Sequence, residues 1–212
     1  MKGPVIGFYN YTVWLTYGNG VAGMVGIVFA ARRETLLALI CLILAGIFDL
    51  FDGPVARSMP NRTEEDRVNG VQLDSLADLI SFGVLPAMIG FSVGLNKWYG
   101  IVVMAVYVLA ALIRLSYFNT QEYLVHMREG RARVDYTGMP VTVAAILFPL
   151  VCCFRHPLGS HFFILYLIVL LAAAFAYVGR FRMPKLPLKV MAPVVVVAVV
   201  VFLILVICGL FT

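Results

Sequence analysis

Long apolar runs, each about as long as a bilayer crossing, divide this chain. They fall at roughly 12–31, 35–55, 75–95, 98–118, 137–154, 160–179 and 188–211. A spanning helix needs about 20 predominantly apolar residues, so the pattern predicts seven spans. The runs do not alternate apolar and polar positions, which sets aside a transmembrane β-barrel. The expected fold is therefore all-α, a polytopic helical membrane protein. Residues 1–11 are too few to cross and are expected to lie along the interface. They show no cleavage-site pattern, so no removable signal peptide is expected. No linker or internal repeat interrupts the runs, and a single domain over 1–212 is expected.

Composition narrows the class further. Of the residues, 62% are hydrophobic and only 13% charged, with a mean hydropathy of +0.97. Soluble domains carry about 25% charged residues, so an ordinary cytosolic enzyme, a disordered tail and a coiled coil are excluded. The formal charge is +5. The basic residues sit mostly in short loops, which points to topology and anionic headgroups, with no nucleic-acid partner. Suppose residues 56–70 face the cytoplasm. The same side then holds Lys2, Arg57, Arg62, Arg67, Arg128, Arg131, Arg133, Arg180, Arg182, Lys185 and Lys189. The opposite side holds Arg32, Arg33, Lys97 and Arg155. That bias places 56–70 inside. The Arg32–Arg33 pair is discordant and leaves open whether the first run is a simple crossing. Cys41, Cys152, Cys153 and Cys208 lie within apolar runs without zinc or disulfide spacing, and are expected to pack. His126, His156 and His161 fall at loop edges and form no ligand pattern.

The second and third runs contain acids, which are costly there. Asp49 and Asp52 are three residues apart near the end of one run; Asp74 and Asp78 are four apart near the start of the next. Each spacing puts two carboxylates on one helix face. The connection is short, so the helices are expected to be antiparallel neighbours whose four acids converge at one depth. Converging carboxylates must protonate, separate or bind cations. An all-oxygen ligand set suits Mg²⁺, Mn²⁺ or Ca²⁺, and two such ions would balance four acids. Pairing with Arg57, Arg62, Arg67 or Arg114 is the structural alternative. Gly53, Ala56 and Gly70 leave room beside the acids, and Arg57 offers a guanidinium fork suited to phosphate. In the first run, Gly18, Gly20, Gly23 and Gly26 suit close helix packing. Alternatively these glycines, with Thr16 and Asn19, border a nucleotide.

The string Asp49-x-x-Asp52-Gly53-x-x-Ala56-Arg57, then Gly70-x-x-x-Asp74-x-x-x-Asp78, resembles the signature of the CDP-alcohol phosphotransferase family. The match covers residues 49–78 directly. It departs in one respect: the stretch from Arg57 to Gly70 is longer than the family's usual interval, and is expected to be an extended loop carrying Glu64, Glu65 and Asp66. The resemblance implies a six-helix core. It also implies a metal-dependent transfer from a CDP-linked lipid to an alcohol, releasing CMP. It implies that Asp49, Asp52, Asp74 and Asp78 hold two divalent cations, that Gly53, Ala56, Arg57 and Gly70 line the CDP site, and that Asp78 is the general base; Asn19, polar in the first run, is a further candidate for that site. A homodimer fits the family's habit.

Three further patches resemble the serine-using, integral-membrane branch: Gln72–Asp78 with Ser81-Phe82-Gly83 and Pro86-Ala87; Arg114–Asn119; and Thr137–Pro140. They imply L-serine as acceptor and CDP-diacylglycerol or an ether analogue as donor, with Arg114 and Asn119 contacting the acceptor or the donor phosphate. Each has a plainer reading. Arg114 is equally a snorkelling residue or a partner for an aspartate. Ser75 and Ser81 are equally bonded to backbone carbonyls, and Gly138-Met139-Pro140 is equally a helix start. Glycerol 3-phosphate, inositol phosphate or choline is the alternative acceptor. A cation transporter is the distant alternative, disfavoured because the acids share one depth.

Overall fold

The computed structural model describes residues 7, 9–60, 63–127 and 138–180. The run at 188–211 lies outside them, as do Cys208 and several of the basic residues counted above. Eight α-helices occur among the described residues: α1 (Trp14–Ala31), α2 (Thr35–Arg57), α3 (Glu64–Asp78), α4 (Leu85–Ser92), α5 (Trp98–Met127), α6 (Ala144–Cys152), α7 (Arg155–Leu158) and α8 (Phe162–Val178). No strand occurs among them. Five segments are long and apolar enough to cross a membrane: Tyr11–Ala31, Thr35–Ala56, Glu64–Ser92, Trp98–Leu124 and Arg155–Val178. The chain is an all-α integral membrane protein.

The first run forms a full-length helix. Arg32 and Arg33 occupy a tight turn, with Arg33 in the left-handed region at φ 64°. The turn returns the chain as α2, which packs against α1. One face of α1 (Asn19, Gly23, Gly26, Ala30) is buried, whereas Val21, Met24, Val25 and Val28 are exposed. That is inside-out relative to a soluble helix, and lipid is the natural solvent of the exposed face.

The third run begins eleven residues before its expected start. Thr63 and Asp66 form a capping box: Asp66 N–H donates to Thr63 Oγ1 at 3.1 Å and Thr63 N–H to Asp66 Oδ2 at 3.2 Å. Glu64, Glu65 and Asp66 fill the first turn, where carboxylates favour the positive end of the helix dipole. The extended loop expected to carry these acids is therefore mostly helix. Hydropathy missed it because these turns are polar.

The same rod continues past Asp78 as a π-helical turn, Leu79–Val84, and then α4. Pro86 lies just past this turn, and its missing N–H removes one backbone bond to the carbonyls before it. A widened turn absorbs such a mismatch. Two buried tyrosines satisfy carbonyls at this point. Tyr107 Oη donates to the Phe82 carbonyl at 2.7 Å, and Tyr166 Oη to the Pro86 carbonyl at 2.9 Å.

The run at 137–154 is broken. Gly138 sits at φ +80°, where a Cβ would approach the Gly179 and Tyr177 carbonyl oxygens to 3.0 and 3.1 Å. Met139 N–H donates to the Ala176 carbonyl at 3.1 Å, so this segment docks on the end of α8. Helical structure starts only after Pro140, with a 3-10 turn at Val141–Val143 leading into α6. Val141–Cys152 spans about 18 Å, short of a hydrocarbon core of about 30 Å. Cys41 and Cys152 are buried and Cys153 is half-buried, all unpaired. They are packing residues, as expected.

Close approach of backbones holds the bundle together. A Cβ on Gly46 of α2 would lie 2.6 Å from the Ala145 Cβ of α6, whereas one on Gly20 of α1 would meet the Ala77 Cβ at an ordinary 3.6 Å. Gly46→Ala should therefore cost about 1–3 kcal/mol by overpacking. Gly20→Ala should be neutral or slightly stabilising. Thermal unfolding in detergent reads both; equal midpoints for the two variants would contradict this packing.

Candidate active site

Asp49 and Asp52 lie on the last turns of α2, and Asp74 and Asp78 on the last turns of α3. The helices run in opposite directions, so the pairs meet in reverse order. The Asp49 side chain interacts with that of Asp78, and the Asp52 side chain with that of Asp74. Oxygens of Asp49, Asp74 and Asp78 all lie within 4.8 Å of one another. Asp52, expected beside them, stands next to this trio against Asp74. The two helices do not pack closely as neighbours. Helix α1 packs on both of them, and the acids reach across the space between.

Helix α1 supplies a donor to each side. Thr16 Oγ1 donates to Asp52 Oδ2 at 3.3 Å, and Asn19 Nδ2 donates to Asp78 Oδ1 at 2.9 Å. Ser81 Oγ, from the π turn, donates back to the Asn19 carbonyl at 2.9 Å. Asn19, Asp78 and Ser81 thus close a ring that fixes the Asp78 side chain. Gly23 makes the ring possible: a Cβ there would lie 2.3 Å from Ser81 Oγ and 2.9 Å from its Cα. Gly23 and Gly26 pack too closely to admit a Cβ, and Asn19 touches an acid directly.

The donor set fits hard cations. Asp74 Oδ1 is buried and accepts no hydrogen bond, and neither does Asn19 Oδ1. A buried carboxylate oxygen without a donor, among further carboxylates, is a ligand position for a divalent ion. At an effective dielectric of about 20, two unit charges within 4.8 Å repel by at least about 3 kcal/mol. A cluster of bare anions is thus unstable unless some of the acids protonate or a cation binds.

The small residues flank the acids. Gly53 and Ala56 lie half-buried on α2, and Gly70 half-buried on α3, one turn before Asp74. Arg57 ends α2, and its side chain lies outside the described residues. From α5, Asn119 Oδ1 accepts from Ser75 Oγ at 2.7 Å, which brings Asn119 beside the acid cluster. Ser75 therefore bonds a side chain, whereas Ser81 bonds backbone. Glu122, which the sequence did not single out, interacts electrostatically with Asp74. Arg114 is 7% exposed. Its Nε donates to the Met139 carbonyl at 3.1 Å, and an Nη to the Gly138 carbonyl at 3.5 Å. Arg114–Asn119 and Gly138–Pro140, far apart in sequence, are thus one structural cluster. Tyr107 and Tyr177 also escaped the sequence reading. The available signal was Pro86, whose missing N–H leaves the helix one backbone donor short, with tyrosines on other apolar spans able to supply one.

Four facing carboxylates on two helix ends, with small residues beside them, match what a signature spread over residues 49–78 would require. Residues 9–208 match the CDP-alcohol phosphatidyltransferase family, and the chain belongs to that family. It is 34% identical over 155 residues to the CDP-diacylglycerol–serine O-phosphatidyltransferase of Saccharomyces cerevisiae, covering 68% of this chain and 54% of the yeast protein. It is 29% identical over 147 residues to the protein of the same name from Bacillus subtilis, covering 68% of this chain and 76% of that one. An archaetidylserine synthase of Methanothermobacter thermautotrophicus is 34% identical over 131 residues, covering 60% and 51%. The chain thus spans about half the length of most of the curated relatives it matches.

Asn19→Ala removes the donor to a buried carboxyl group, and a loss of about 1–3 kcal/mol follows. Gly23→Ala should weaken the same ring by pushing Ser81 away. Both should lower the unfolding midpoint; an unchanged midpoint in Asn19→Ala would show that the ring holds nothing.

Proposed function

We propose that this chain transfers a phosphatidyl-type group from a CDP-linked lipid to the hydroxyl of L-serine and releases CMP. The observation that carries the reading is the facing of Asp49 with Asp78 and Asp52 with Asp74 across α2 and α3. The names of the relatives support serine as the shared acceptor and the lipid tail as the variable part: one is an archaetidylserine synthase, and others are CDP-diacylglycerol–serine transferases.

Two divalent ions, Mg²⁺ or Mn²⁺, held by Asp49, Asp52, Asp74 and Asp78, would offset the charge of the pyrophosphate and of the departing CMP. The residues of the chain do the rest. Gly53, Ala56 and Gly70 give the nucleotide room to approach the helix backbones, and Arg57 holds phosphate oxygens. Asp78 takes the proton of the serine hydroxyl as its oxygen bonds to phosphorus and the bond to the CMP phosphate breaks. Asn19 donates to Asp78 Oδ1, which orients the carboxyl group for that transfer. Arg114 is oriented by the Gly138 and Met139 carbonyls. Arg114 contacts the serine carboxylate, with Asn119 on the same helix. The surplus of arginine and lysine on the loops at this end supports a cytoplasmic active site.

Purified protein with CDP-diacylglycerol and Mg²⁺ should release CMP with serine, and little with glycerol 3-phosphate, inositol phosphate or choline. Release with one of the others at a higher rate than with serine would overturn the acceptor assignment. Asp78→Asn should abolish turnover while CDP-lipid binding survives; near-normal turnover would remove Asp78 from the role of base. Chelation by EDTA should stop CMP release and added Mg²⁺ or Mn²⁺ restore it, whereas full activity after exhaustive chelation would exclude the metal-dependent reading.

A further inference from the structure

Asp78 is held from one side by Asn19 and from the other by the turn that follows it. That turn carries its own hydrogen-bond path into the bundle. The Phe82 carbonyl, within the π turn, accepts from Tyr107 Oη at 2.7 Å. Tyr107 Oη lies 3.1 Å from Tyr177 Oη, and Tyr177 Oη lies 3.2 Å from the Val141 carbonyl. A hydroxyl has one proton. Tyr107 gives its proton to Phe82, so Tyr177 supplies the bond between the two phenols and shares its single proton with Val141. Val141 follows directly on Gly138–Pro140, whose carbonyls orient Arg114. The rings of Tyr107 and Tyr177 are in contact, with centroids 5.5 Å apart, and both are fully or almost fully buried. A polar path in an apolar interior is costly unless each member is satisfied, and here each carbonyl along it has a phenol.

We propose that Tyr107 and Tyr177 are positioning residues for Asp78, acting through the π turn, and that they set its placement relative to Arg114. Two α helices that both contribute to the site, α3 and α5, are otherwise joined near it by the Ser75–Asn119 bond. The tyrosine path fixes the next turns of the rod beyond Asp78 to α5 and α8. A shift there of even about 1 Å would move the acceptor of the proton away from the hydroxyl, and misplacement of that size costs up to about a hundredfold in rate. The proposal rests on the reading of Asp78 as the base of a CMP-releasing transfer.

The test compares wild type, Tyr107→Phe, Tyr177→Phe and the double variant in detergent. It measures kcat and KM for CDP-diacylglycerol and serine, the unfolding midpoint, and hydrogen–deuterium exchange of residues 79–84. Tyr107→Phe should lower kcat about tenfold or more, keep KM for the CDP-lipid within about twofold, and speed exchange within 79–84. Tyr177→Phe should lower kcat less, because Tyr107 keeps its bond to Phe82. The double variant should lose no more than Tyr107→Phe alone, since both act along one path. Unchanged kcat in folded Tyr107→Phe overturns the proposal, as does a rate loss that merely follows the fraction of unfolded protein. A wild type that releases no CMP with any alcohol sinks the functional reading instead. Exchange then decides this proposal alone: faster exchange confined to 79–84 in Tyr107→Phe supports the link, and unchanged exchange there removes it.

Discussion

The structure depends on bringing four carboxyl groups together at the end of a helical pair without letting their charges drive the helices apart. Asp49 and Asp52 approach Asp74 and Asp78 across a space that no close packing of α2 on α3 fills. Helix α1 spans that space. Its glycines bring its backbone within reach of the π turn, and Thr16 and Asn19, three residues apart, give one hydrogen bond to each side. Hydrogen bonds to carboxyl groups offset part of the repulsion. Protonation or a bound cation relieves the remainder, and Asp74 Oδ1, buried without a hydrogen-bond donor, is placed to take part in either.

A second constraint follows from the first. Asp78 ends α3, so its placement is only as firm as the turn after it. Pro86 deprives that turn of a backbone donor, and the chain answers with a π-helical turn and two tyrosine hydroxyls brought by α5 and α8. Inside a membrane no water stands ready to replace them. The proline that weakens the rod thereby makes its position depend on helices from the far half of the chain. Those same helices carry Arg114 and meet the Gly138 segment, so Asp78 and the Arg114–Gly138 cluster share one set of supports.

Much of this was legible in the sequence. The acids stood out because a bilayer makes carboxylates costly, and their three- and four-residue spacings placed them on helix faces that the structure brings together. The apolar runs located the spans, and the tight turn at Arg32–Arg33 explains why an arginine pair sits between two crossings. Glu64, Glu65 and Asp66 read as loop because the interval from Arg57 to Gly70 is long, and neither that interval nor hydropathy registers a capping box. The run at 137–154 was overextended for a related reason: Gly138 and Pro140 interrupt helix without interrupting hydrophobicity. Asn19 was recognised as polar in an apolar run, yet its partner, Asp78, is 59 residues away, and no local pattern names such a contact. The tyrosine path was illegible for the same reason. Tyr107 and Tyr177 read as ordinary apolar-span residues until the fold shows which carbonyl each one meets.

The central claim is that the four aspartates form a divalent-cation centre. Electron paramagnetic resonance of Mn²⁺ added to the purified protein with CDP-diacylglycerol tests it directly. Two bound ions per chain, close enough for spin coupling, with the coupled signal lost in Asp49→Asn and in Asp74→Asn, is the predicted result. A spectrum of free aqueous Mn²⁺ in the wild type, or bound Mn²⁺ that both substitutions leave untouched, would contradict the account.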